Sequence, residues 1–177
     1  MARRYSYSGS HRVAAGGVLA AGSLALLWLA CVAPSGRLGL AAVAGLFPVA
    51  GVLTAGKAAG YLCWAASGIL GLILMPDKGI ALIYLVFFGL YPVVKGQIES
   101  LRRQALEWLL KLACFNGVLT LLLLAFRPLF LPALPQWLSE GFVPLYLVGN
   151  VVFVIYDIGL SRLIGLFYHR LGPGGRA

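Results

Sequence analysis

Acidic side chains are nearly absent: the chain has five Asp and Glu in 177 residues. No two carboxylates share a helix face, which leaves no acid/base pair for hydrolytic chemistry. Histidine is equally scarce. His11 and His169 both lie outside the apolar runs, so no imidazole is expected to hold a metal, activate a nucleophile or relay a proton within them. Cys31, Cys63 and Cys114 fall one apiece in separate apolar stretches, without the spacing of a disulfide framework or a zinc site, and read as small apolar fillers. No glycine-rich phosphate loop opens a soluble helix, and no soluble segment could carry one. The expectation is a protein that is not an enzyme and holds no cofactor or metal.

What the chain does have is hydrocarbon. Sixty-one per cent of its residues are hydrophobic and 11% are charged, more apolar surface than a water-soluble domain of this size could bury. A bilayer core of about 30 Å takes roughly 20 helical residues to cross. Breaks at APSGR, AGK, PDKG, KGQIESLRRQ and RPLFLPALPQWLSE divide the chain into six apolar segments, with approximate limits 13–32, 38–55, 58–75, 80–94, 105–126 and 141–167. The fold expected is all-α: one polytopic bundle of six transmembrane helices, embedded in the lipid bilayer as a single domain. The start, MARRYSYSGSHR followed by an apolar run from Val13, resembles a secretory signal. That run exceeds the usual hydrophobic core of about 7–15 residues, and the chain lacks small residues at a lipoprotein-type cleavage site, so an uncleaved first span is expected.

Basic residues sort by side. With the N-terminus inside, the inner face receives Arg3, Arg4, Arg12, Lys57, Lys95, Arg102, Arg103, Arg162, Arg170 and Arg176, and the outer face Arg37, Lys78 and Arg127. Ten against three predicts a bacterial multi-pass cell-membrane protein with both termini cytoplasmic. The net positive charge is thus accounted for by topology and does not call for nucleic acid. Two segments carry alternatives. The stretch 38–75 is divided only by Gly56-Lys57 and contains Pro48, so a re-entrant hairpin competes with two spans. The fourth span looks short, with Pro92 expected to bend or end it. The connection 127–140, apolar but rich in proline, is expected to lie non-helically on the outer surface as an interfacial anchor or a lid.

Charge inside the spans is the feature most worth explaining. Arg103, Glu107 and Lys111 repeat every four residues and stack along one helix face. Lys111 lies about 9 Å inside the fifth span and Asp157 about 15 Å from the inner end of the sixth. These depths let Lys111 and Asp157 meet if the last two spans pack side by side. Arg162, about 140° further round the helix, is expected to reach for headgroups. Charges within a span suggest a functional site; the alternative is that Glu107 pairs with Lys111 while Asp157 staples two helices. Asn116, Trp137, Glu140, Tyr146 and Asn150 are placed to line an outer substrate pocket. On the first span Gly17, Ala21 and Ala25 recur every four residues, a pattern that permits close helix approach, either within the bundle or against a partner.

In outline, the chain resembles the substrate-binding membrane subunits, or S components, of energy-coupling-factor transporters: fewer than two hundred residues, six spans, both ends inside, and AGSLA at Ala21–Ala25. The resemblance implies that Ala21 and Ala25 dock a transmembrane coupling subunit, that an ATPase pair drives the cycle, and that a small molecule is captured from outside. The segment running from LMPDKG to CFNGVLTL also has the look of small bacterial membrane proteins, which suggests a bend at the inner surface formed by FFGLYPVVKG. The function expected is a non-catalytic transport subunit. A membrane assembly protein is the second reading and a lipid-processing enzyme the third.

Overall fold

The computed structural model describes residues 9–101, 103–130 and 141–171. Among them every regular element is helical and six units are long and apolar enough to cross a membrane. The first span is α1 (Gly9–Val32), the second α2 (Arg37–Ala44) and α3 (Leu46–Ala55) in series, and the third α4 (Lys57–Leu74). The fourth joins α5 (Lys78–Ile83), a π-helical turn (Tyr84–Phe88) and α6 (Tyr91–Glu99). The fifth is α7 (Gln104–Ala125). After a short α8 (Arg127–Phe130) the last is α9 (Phe142–Leu171). We call the end of the bundle where α1 starts, and where α3, α6 and α9 finish, the N-terminal end; the other is the distal end.

The fourth span is the hub. Two thirds of it (67%) is buried inside the bundle, whereas the fifth and sixth bury 22% each and turn most of their surface outward. Three apolar clusters surround it. Leu27, Ala30, Ala41 and Ala44 pack on Ile80, Ala81 and Tyr84. Leu119, Leu122, Leu123 and Leu145 pack on Leu82 and Ile83, and Phe153 and Leu160 on Phe87 and Tyr91. The exposed Leu, Val and Ile of the outer helices suit hydrocarbon as solvent.

The hub is longer than its sequence suggests. Pro92 does not end the span: it sits in the first turn of α6, where a missing N–H costs little, and the helix runs on to Glu99. In the segment expected to bend at the inner surface, the chain turns at Gly89-Leu90 and Tyr91, Pro92 and Lys95 are all buried in the bundle. The second span is likewise kinked, not folded back, and α1 packs along both of its halves. Asp77 starts the hub as an N-cap, its carboxylate accepting from Gly79 N at 2.9 Å and Ile80 N at 3.2 Å.

Each of these two prolines leaves a carbonyl four residues back without its helical donor. For Pro48 that carbonyl is Ala44 O, and the Ser23 hydroxyl of α1 supplies it at 3.1 Å. For Pro92 it is Phe88 O, which faces Gly45 so closely that a Cβ there would lie 2.0 Å from it. Glycine is required at this kink for that reason. The π turn frees a further acceptor, Leu85 O, and the Trp64 indole N–H donates to it at 2.8 Å.

At the distal end Arg37 pairs with Asp77 at 3.4 Å in a partly exposed bridge, which contributes little. The stretch 127–130 forms a helical turn and so departs from the non-helical connection expected. Its close approach leaves no room for a Cβ on Gly79, which would lie 2.3 Å from Leu129 O.

Candidate functional site

On α6, Tyr91, Lys95 and Glu99 recur at four-residue spacing and face α7 and α9. Asp157 accepts at one oxygen from the Tyr91 hydroxyl (2.6 Å) and the Lys95 ammonium, and at the other from Lys111 (3.0 Å). Glu99 takes both ammonium groups at 2.8 Å. The result is a closed ring of alternating charge, Lys95–Asp157–Lys111–Glu99, with no net charge. Lys95 is 0% and Asp157 2% exposed, while the Glu99 side chain is 39% exposed and opens the ring toward the N-terminal end. The Trp108 ring lies 5.4 Å from Lys111 Nζ and covers its outer side.

Lys111 and Asp157 therefore meet across α7 and α9. Two expectations need correction. Lys95, expected as a basic residue of the inner face, is a fully buried ion-pair partner, because the helix continues past Pro92. Lys111 pairs with Glu99 in place of Glu107, which forms no ion pair among the described residues. Arg162 is exposed on α9, away from the ring. The Tyr91–Lys95–Glu99 face was readable by the same four-residue rule that singled out Arg103, Glu107 and Lys111, but the expected helix end at Pro92 hid it.

Of the residues assigned to an outer pocket, Asn116, Tyr146 and Asn150 bond across α7 and α9 and do not line the cavity between the spans. Asn116 and Asn150 exchange side-chain hydrogen bonds at 2.9 and 3.0 Å, and Thr120 bonds the Tyr146 hydroxyl at 2.7 Å. These contacts join α7 to α9, and each amide gives its other N–H to its own helix, Asn116 to Leu112 O and Asn150 to Tyr146 O. Trp137 and Glu140 lie outside the described residues. A second buried polar chain links the first, third and fourth spans. The Ser23 hydroxyl reaches Tyr84 Oη at 2.8 Å, Tyr84 bonds Ser67 at 2.7 Å, and Ser67 donates to Cys63 O at 2.6 Å.

The open space lies elsewhere. A cavity of about 280 Å³ occupies the distal half between the second span and the last three, lined by Leu38, Gly39 and Ala42 on α2, Ile83, Phe87 and Phe88 on the hub, Phe115, Val118, Leu119 and Leu122 on α7, and Gly149, Val152, Phe153 and Tyr156 on α9. Its floor is an aromatic stack: Phe115 lies on Phe153 with centroids 4.7 Å apart, and Phe87 on Tyr91 at 5.2 Å. Tyr91, the ring's hydroxyl donor, lies behind Phe87, so the floor and the charge ring are in direct contact. The lining is carbon almost throughout, which suits an apolar guest and no hydrophilic one.

Gly17, Ala21 and Ala25 are all exposed on α1, while the adjacent Gly16 and Ala20 are buried against the bundle. Packing within the chain therefore uses the neighbouring stripe. No protein-family model matches the chain, and no curated protein or solved structure matches it.

Proposed function

We propose that this chain is a non-catalytic membrane subunit that holds a small solute in the cavity between its second, fourth, fifth and sixth spans and passes it on with a partner complex. The observation that supports this reading is the cavity itself: about 280 Å³ of space walled by four spans, close to the lower size of ligand pockets, roughly 300 Å³. The charge ring lies directly beneath and holds α6, α7 and α9 in register, which keeps the aromatic floor in place. In this reading the N-terminal end is cytoplasmic, consistent with its basic residues. The partners are a coupling subunit with an ATPase pair, meeting the outward small-residue face of Gly17, Ala21 and Ala25, where helices can approach closely.

Assembly remains a second reading, favoured by the Asn116–Asn150 pair having all its amide groups bonded within the bundle and by the neutrality of the ring. Gentle extraction of the chain from its own membranes separates the two. A stoichiometric small molecule together with copurifying ATPase subunits is expected for transport. An empty cavity with a different stoichiometric membrane partner would overturn it.

A further inference from the structure

We propose that the occupant of this cavity is one hydrocarbon chain of an anionic membrane lipid, entering sideways from the bilayer with its headgroup at Arg162; this rests on the cavity being the binding site. A smaller space of about 150 Å³, lined by Ala42, Val43, Leu46, Tyr156, Gly159, Leu160 and Leu163, shares Ala42 and Tyr156 with the larger one. Sharing these two lining residues, the two spaces lie end to end between the second span and α9, and we read them as one groove. From Gly149 to Leu163 it follows α9 for fourteen residues, about 21 Å at the helical rise.

That length and the lining define the guest. A groove of about 21 Å exceeds half of the roughly 30 Å bilayer core, so it fits an extended chain and not a compact solute. Its walls expose almost no polar atom, so nothing along it would hold a sugar, a nucleotide or a zwitterionic vitamin. Its lips open to the outside of the bundle: Val43 on α2 and Val152 on α9 are both about half exposed while lining the space. Gly39, Gly149 and Gly159 carry no side chain that would close it.

Charge complementarity supplies the headgroup. Arg162 stands one helical turn beyond Gly159, at the N-terminal end of the groove, exposed and in no ion pair among the described residues. Its long stem can lie along the apolar surface while the guanidinium meets a phosphate in bidentate fashion.

Native mass spectrometry of the full chain, delipidated and then titrated with phosphatidylglycerol or with phosphatidylcholine of identical acyl chains, tests this. One phosphatidylglycerol per chain should be retained, about fivefold more tightly than phosphatidylcholine, the preference expected from one basic residue at an anionic headgroup. Arg162→Gln should erase that preference while neutral lipid still binds. Gly159→Leu, at a residue that lines the smaller space and has open room for an added Cβ, should weaken both lipids at unchanged melting temperature; Ala42→Trp provides a second block. Glycerophosphoglycerol, the headgroup without chains, should not compete. Equal retention of both lipids by the natural chain, or undiminished retention by folded Gly159→Leu and Ala42→Trp, would overturn the proposal. If no lipid is retained but another small molecule copurifies and is lost in Gly159→Leu, the lipid assignment fails while the cavity remains a binding site. If nothing binds in either experiment, both readings fail.

Discussion

Lys95 and Asp157, 62 residues apart, form an ion pair buried from all solvent and join the central span to the last one. Each charge would be costly alone in hydrocarbon. Held in a neutral ring with Lys111 and Glu99 and with the Tyr91 hydroxyl as a further donor, each finds its partners within the bundle.

Asp157→Asn should therefore be more damaging than any lipid-facing change. It leaves two ammonium groups sharing one half-exposed carboxylate, and loss of one partner from a buried pair costs about 3–5 kcal/mol. Thermal unfolding in mild detergent should show a large drop. Replacing the pair together, Lys95→Met with Asp157→Leu, should recover much of it, since no buried charge is then orphaned. A double variant as unstable as the single would mean that the ring does not act as a charge-compensated unit.

The kink in the second span makes a sharper geometric prediction. Gly45→Ala places a methyl 2.0 Å from Phe88 O, where neither backbone can yield, and should abolish most of the folded yield. On α7, Gly117→Ala is the matched control: nothing lies within 4 Å of the added carbon, and the change should stabilise by about 0.5–1 kcal/mol. Detergent-resistant monomer on size exclusion reports both.

Ser23→Ala removes the hydroxyl that lies between Ala44 O, freed by Pro48, and Tyr84 Oη, its one proton shared between them. The buried Ala44 carbonyl is then left without its side-chain donor, at a cost of about 1–3 kcal/mol, while Tyr84 keeps its bond to Ser67. Tyr84→Phe should cost less, because Ser23 then still satisfies Ala44 O. Equal melting temperatures for Ser23→Ala and the natural chain would refute this account of the kink.

The Asn116–Asn150 pair should behave as a modest staple. A double-mutant cycle to Leu should give a coupling energy of about 0.6 kcal/mol, the usual scale for hydrogen bonds between helices in membranes. A coupling near zero, with lipid binding lost, would instead place the two amides in a binding role.

Topology is tested by labelling. In a background with the natural cysteines replaced by serine, Ser35→Cys at the distal end should react with an impermeant maleimide on intact cells. Ser100→Cys at the N-terminal end should react only after lysis. The reverse pattern would invert the orientation and with it the proposed inner position of the basic end.

The apolar runs and the breaks between them were enough to establish six helices long enough to span a membrane, because helix length in hydrocarbon depends only on local composition and rise per residue. Depth counting also brought Lys111 to Asp157, since antiparallel neighbours joined in sequence share a common depth scale. What local reasoning could not supply was Lys95. Whether Pro92 ends a helix or opens one depends on the π turn before it and on Gly45 across the bundle, and both are properties of packing. The same holds for the small residues of α1. Gly16 with Ala20 and Gly17 with Ala21 are indistinguishable by pattern, and only the positions of α2, α3 and α4 decided which pair faces inward. The cavity belongs wholly to the tertiary structure: it is space left between the second span and α9, formed by residues that are each unremarkable in sequence, and empty space between helices has no sequence signature of its own.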